Sequence, residues 1–111
     1  MPNKKGTWNG DCLDLVSTYA EFTKGFIFFI QGEITLRIKI GYTEKDIKIR
    51  LNQLQVGSPD KLTLLGYHWG NEAVESWVQF KWKENHVHGE WFEETPELLA
   101  YIKKECVCQH E

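Results

Sequence analysis

No apolar run in this 111-residue chain approaches the roughly 20 residues that a bilayer-spanning helix needs. The richest apolar segment, GFIFFI at Gly25–Ile30, has only the length of a buried strand. The opening MPNKKGTWNGD carries no apolar stretch after its lysines, so a secretory leader is not expected there. Cysteine is scarce. Three residues, an odd and sparse count, argue against a disulfide framework and fit reduced thiols in a cytoplasmic protein. An excess of positive charge is also missing. Thirteen Lys and Arg stand against 16 Asp and Glu, for a net charge of −3 and a pI near 5.8. That balance excludes a generally sticky nucleic-acid binder. A phosphate ligand would need a local basic patch. No internal repeat or low-complexity segment is visible, and the length suits one domain.

A local basic patch is present. Ile34–Gln55 holds five cations (Arg37, Lys39, Lys45, Lys48, Arg50) against two anions, Glu44 and Asp46, hence +3. Because the whole chain is −3, everything else sums to −6. Ile34, Leu36, Ile38 and Ile40 alternate with Thr35, Arg37 and Lys39, the period of a half-buried strand. Gly41 suits a turn after it. Thr43, with Asp46 three residues on, resembles a capping box, and Ile47, Leu51 and Leu54 follow at helical spacing. Arg50 lies beside that stripe.

The remaining elements follow from similar patterns. GFIFFI is apolar on both faces and predicts a central strand, joined to the next by Gln31-Gly32-Glu33. Lys61–His68 predicts a third strand after the Gly57–Asp60 loop. Asn71–Glu84 predicts a helix with Val74, Trp77, Val78 and Trp82 inward. Thr95-Pro96-Glu97 opens another, with Leu98, Leu99, Ile102 and Cys106 on its apolar side. The reading is α+β: a small three-stranded antiparallel sheet flanked by three helices. Residues 1–24 form a polar arm, where Asp11–Phe22 has the spacing of a short helix. Residues 25–105 form the domain, and 106–111 a tail.

GFIFFI, IKIGYT, DIKIRLNQLQVGSP, VESWVQF and HGEWFEETPELLAYI, in that order and spacing, resemble the GIY-YIG nucleases, in a short phage and bacterial branch. That resemblance implies the fold above and a metal-dependent DNA endonuclease of phosphodiesters. It implies catalytic roles for Lys39 on the second strand, Arg50 on the first helix as the phosphate contact, and Glu75 on the second helix as ligand of one divalent ion, Mg²⁺ or Mn²⁺. Phe28 falls where the family carries a tyrosine, so the ring remains and the hydroxyl is lost. Gln79 stands where a histidine is frequent. Tyr42 is a substitute base. Arg37, Lys39, Lys48 and Arg50 would contact DNA.

The residue types suit that chemistry. An Arg fork and a cation stabilise charge on a phosphate, and a base must take a proton from the attacking water. Plainer readings stand beside it. Arg50 alone is a surface cation of an amphipathic helix, Glu75 a solvated helix residue, Lys39 an edge-strand lysine and Phe28 a core aromatic. Most tryptophans read as packing residues; Trp8 and Trp69 are harder to place and would suit base stacking. Cys106-x-Cys108-x-His110 with His86 and His88 invites zinc, yet one intervening residue between cysteines is tighter than the usual spacing. Two functions remain open: a DNA endonuclease, or a DNA-binding or protein-interaction module that kept the fold and lost its base. None of these segments reads as an attached specificity module, so specificity is expected from DNA structure, a protein partner or a homodimer.

Overall fold

Ile27 to Ile30 are apolar without interruption, so this segment satisfies its backbone and both its faces only at the centre of a sheet. It forms β1 (Phe26–Gly32). The computed structural model describes residues 25–108, and in it β1 lies between β2 (Ile38–Thr43) and β3 (Leu62–Trp69). The helix expected at Asp11–Phe22, together with Trp8 and His110, lies outside the described residues.

The sheet corrects the three-stranded expectation. It has six strands in the order β4-β5-β2-β1-β3-β6, all paired antiparallel. The three additions are short: β4 (His86–His88), β5 (Trp91–Phe92) and β6 (Val107–Cys108). Strands of two or three residues are too short to show alternation in a sequence. The fold remains α+β, with α1 (Ile47–Val56), α2 (Glu72–Lys81) and α3 (Pro96–Glu105). No helix among the described residues is long and apolar enough to cross a membrane.

Helices cover both faces. Ile27, Phe29, Ile38 and Ile40 pack with Val78 of α2 and with Leu98 and Ile102 of α3. Phe28, Ile30, Leu62 and Leu64 pack under Ile47, Leu51 and Leu54 of α1. Thr95 caps α3, its hydroxyl accepting from the Leu98 amide at 3.1 Å. Trp77 was expected inward, but it is 56% exposed, and the buried side of α2 is Val74, Val78 and Trp82.

The β1–β2 connection also departs from the alternation. Ile34 is 78% exposed and Leu36 adopts φ 65°, in the left-handed region that side chains disfavour. The cause is Asp60, whose carboxylate accepts from the amides of Ile34 (3.0 Å) and Thr35 (3.4 Å) and pins the segment as a turn. The strand therefore starts at Ile38 and runs on through Gly41 to Thr43. Asp46, not Thr43, caps α1, accepting from Lys48 N at 2.8 Å; Thr43 accepts from Lys45 N.

Gly41 is thus a strand residue. A Cβ there would run into the Cζ of Phe28, with Cε1 and Cε2 at 2.8 and 3.1 Å. Phe28 pairs with Gly41 in register and is 1% exposed, so the ring has nowhere to go. Gly41→Ala should cost about 1–3 kcal/mol in denaturant melts through overpacking. Adding Phe28→Leu should make the second cost less than additive, as expected for a contacting pair.

Candidate functional site

β2 has a strand partner on its outer edge for only part of its length. β5 pairs with Ile38 and Lys39, and the Glu90 carbonyl accepts from the Ile40 amide at 2.9 Å. There the ladder stops. Gln79 of α2 takes the next place, its Nε2 donating to the Ile40 carbonyl at 2.8 Å. The same nitrogen lies 3.4 Å from Oε2 of Glu75, one turn earlier on α2. The sheet edge therefore fixes Gln79, and Gln79 steadies Glu75.

Glu75 shares a hydrogen bond with Glu90, which holds Lys39 in an ion pair at 3.1 Å. Lys39 is mostly shielded, with 16% of its side chain exposed, and its Nζ sits 5.6 Å from the centre of the Trp91 ring. Burial pushes the Glu75 carboxyl up to about 7 from 4.5. The charge and hydrogen bond of Glu90 add to that, as does the charge of Glu72, while Lys39 opposes it. Two carboxylates held together beside a single ammonium form a site that favours a proton or a metal cation.

Tyr42, on the same strand, lies within electrostatic reach of Glu72 and Glu75. Its phenol donates to Glu44 at 2.8 Å. Burial first, then Glu44, pushes it up to about 12, so at neutral pH it keeps its proton and acts as a donor.

The other sequence-derived residues are spread over the opposite face of the sheet. The tip of the Phe28 ring abuts Gly41 beneath α1. Lys48 lines a cleft with Leu64 and Tyr67 on the β3 side of α1. Arg50 is two residues further on, about 200° around the helix. That puts it on the flank towards β2, half-buried, with Nη1 3.4 Å from Gln53 on its own helix. Arg37 lines a separate cleft with Asp60 and Trp91. The four cations thus form no single cluster: Arg37 and Lys39 flank Trp91, while Lys48 and Arg50 lie on opposite flanks of α1.

Glu90 is the residue that sequence reasoning missed. Its signal was present in HGEWFEE, where an acid precedes the Trp91–Phe92 pair, but only the β2–β5 register shows that it meets Lys39. The zinc reading draws on His110, which lies outside the described residues; the described residues themselves contain no group of three or more His, Cys, Asp or Glu able to hold a metal. Trp69 is packed on Phe26, ring centres 4.5 Å apart.

No curated protein and no solved structure matches the chain. One family model does, that of the T5orf172 domain, over residues 25–107. This corrects the resemblance to the GIY-YIG nucleases, because the matching family is a different one. The quoted motifs are short, and their order alone did not separate the two. With all but the ends of the sequence under that model, the chain belongs to the T5orf172 domain family.

Proposed function

We propose that this domain hydrolyses DNA phosphodiesters at the edge of β2 with the help of one divalent cation, Mg²⁺ or Mn²⁺. The observation that carries the reading is the Glu75–Glu90 carboxylate pair with Lys39 against it. The T5orf172 assignment is compatible with a DNA-related role. Without three grouped protein ligands among the described residues, a closed protein cage is not available. Mg²⁺ does not need one: it is commonly held by one or two carboxylates, with waters and substrate phosphate completing the shell.

Glu75 would hold the ion, which supplies Lewis-acid stabilisation of charge on the phosphate oxygens. The other tasks fall to the chain itself. Gln79 keeps the Glu75 carboxylate oriented. Arg50, on the β2 flank of α1, would bind a non-bridging phosphate oxygen through its planar fork. Lys39, paired with Glu90 and beside the Trp91 ring, would add positive charge next to the phosphate. Glu90, the second carboxylate of the pair, would accept the proton of the attacking water.

A second reading has its own observation. Phe28 bears no hydroxyl and Tyr42 holds its proton, so neither ring supplies a base. A domain that binds DNA without cutting it would then rely on Arg37, Lys39, Lys48 and Arg50, with affinity falling steeply as salt rises. End-labelled duplex, nicked and branched DNA distinguishes the two. New 5′ and 3′ ends that form only with Mg²⁺ or Mn²⁺ support hydrolysis. Salt-dependent binding that yields no new ends under any of these conditions assigns the second reading.

A further inference from the structure

The outer side of α2 presents aromatic rings to solvent. Trp77 is 56% exposed and Phe80 65%. Cations accompany both: Lys81 Nζ lies 5.6 Å from the Trp77 ring centre, and Lys83 Nζ lies 4.4 Å from that of Phe80. Phe80 and Lys83 also wall a groove of about 320 Å³ between α2 and the β4–β5 hairpin, with Gln79, His86 and Phe92 on its other sides. The charge along α2 is ordered, with Glu72 and Glu75 in its first turn and Lys81 in its last.

This groove adjoins the candidate site through Gln79. Gln79 lines it and also touches Glu75 and the Ile40 carbonyl. Counting about 100° per residue around α2, Glu75 is followed by Gln79, then Phe80 and Trp77, while Lys83, in the 3₁₀ turn Lys83–Asn85 just after the helix, stands against the Phe80 ring. A strand leaving a phosphate near Glu75 would meet an amide and then an aromatic face with an ammonium beside it. Exposed rings beside cations are the means by which proteins hold single strands, since every base has a π-face and every nucleotide a phosphate. A paired base has no free face for Phe80 to reach within a duplex.

Resting on the hydrolase reading above, we propose that this groove binds an unpaired nucleobase next to the phosphate at Glu75, with Phe80 stacking on it and Lys83 meeting the adjoining phosphate. The substrate class is then nucleic acid with a single-stranded segment, not intact duplex.

The test is fluorescence anisotropy with a labelled short oligothymidylate and with the same strand annealed to its complement. Ca²⁺ replaces Mg²⁺ so that nothing is cut. Wild type should bind the single strand more tightly than the duplex. Phe80→Ala should weaken single-strand binding about 5- to 150-fold, the range for one lost base stack, and leave duplex binding unchanged. Lys83→Gln should lower the slope of log affinity against log salt for the single strand by about 0.7, the value for one lost phosphate contact. Circular dichroism should show both variants folded, as the changed side chains are exposed. Equal single-strand affinity in wild type and Phe80→Ala overturns the proposal. So does a wild-type dimer that Phe80→Ala dissociates in sedimentation, which would make this face an interface between copies. Either result leaves the hydrolase reading intact if labelled DNA carrying both a duplex and a single-stranded arm is still cut with Mg²⁺. Failure of wild type to cut that DNA would remove the hydrolase reading itself.

Discussion

Glu75→Gln should lower metal-dependent DNA cleavage by at least about 100-fold and yet make the folded protein more stable at neutral pH. The loss of activity follows from removing the carboxylate that holds the ion. The gain in stability follows from linkage. The Glu75 carboxyl, buried beside Glu90 and Glu72, titrates at about 7 against an ordinary 4.5. Between those two values the unfolded chain has released the proton while the folded chain still holds it. Folding stability therefore falls as pH rises across that window, and the loss is complete above about 7. Glutamine cannot ionise and keeps a neutral side chain next to Glu90, so the variant escapes the loss. Thermal melts between pH 4 and 8 measure it: the wild-type curve should decline relative to the variant from about 4.5 to about 7 and then run parallel. Mg²⁺ or Mn²⁺ should raise the wild-type midpoint and leave that of the variant unchanged. A side chain that favours activity and opposes stability is the pattern expected of a functional site.

Arg50→Ala should reduce cleavage by about 10²- to 10³-fold, the usual cost of removing a preorganised donor to developing negative charge. The fold should survive. Arg50 is half-buried and its own polar contact is a long one to Gln53 on the same helix, whereas α1 is anchored by Ile47, Leu51 and Leu54. Arg50→Lys should recover only part of the rate, because an ammonium keeps the charge and loses the planar fork. Circular dichroism and the cleavage rate, measured on the same preparations, separate the two effects. A rate unchanged in Arg50→Ala would mean that the guanidinium does not touch the phosphate, and Lys39 would then be the cation at the site.

Much of this molecule could be read from its sequence, where side-chain period and element length coincide. β1 is apolar on both faces and lies in the middle of the sheet, as its composition requires. α3 starts at Thr95-Pro96, where an N-cap followed by proline predicts it. What was hidden depends on contacts between distant residues. The Ile34–Leu36 alternation looked like strand, but Asp60, far along the chain, takes its amides and bends it into a turn. Gly41 looked like a turn residue because glycine permits one; its actual task is to leave room for the Phe28 ring across the β1–β2 register. The short strands β4, β5 and β6 have no period to read. At the site, Lys39 and Glu75 were legible as residues of the right type. Their link was not, because it runs through Glu90, brought beside them by a two-residue pairing of β5 with β2. Family membership was misread for a related reason, since short motifs in order did not separate one family from another.

The most direct measurement is cleavage of end-labelled DNA carrying both a duplex and a single-stranded arm, with Mg²⁺ or Mn²⁺, by wild type, Glu75→Gln and Arg50→Ala side by side. Site-centred hydrolysis predicts that wild type generates new ends, that EDTA stops it, and that both variants fall by about 100-fold or more. Cleavage by Glu75→Gln at the wild-type rate, or binding by wild type with no cutting in either metal, would contradict it.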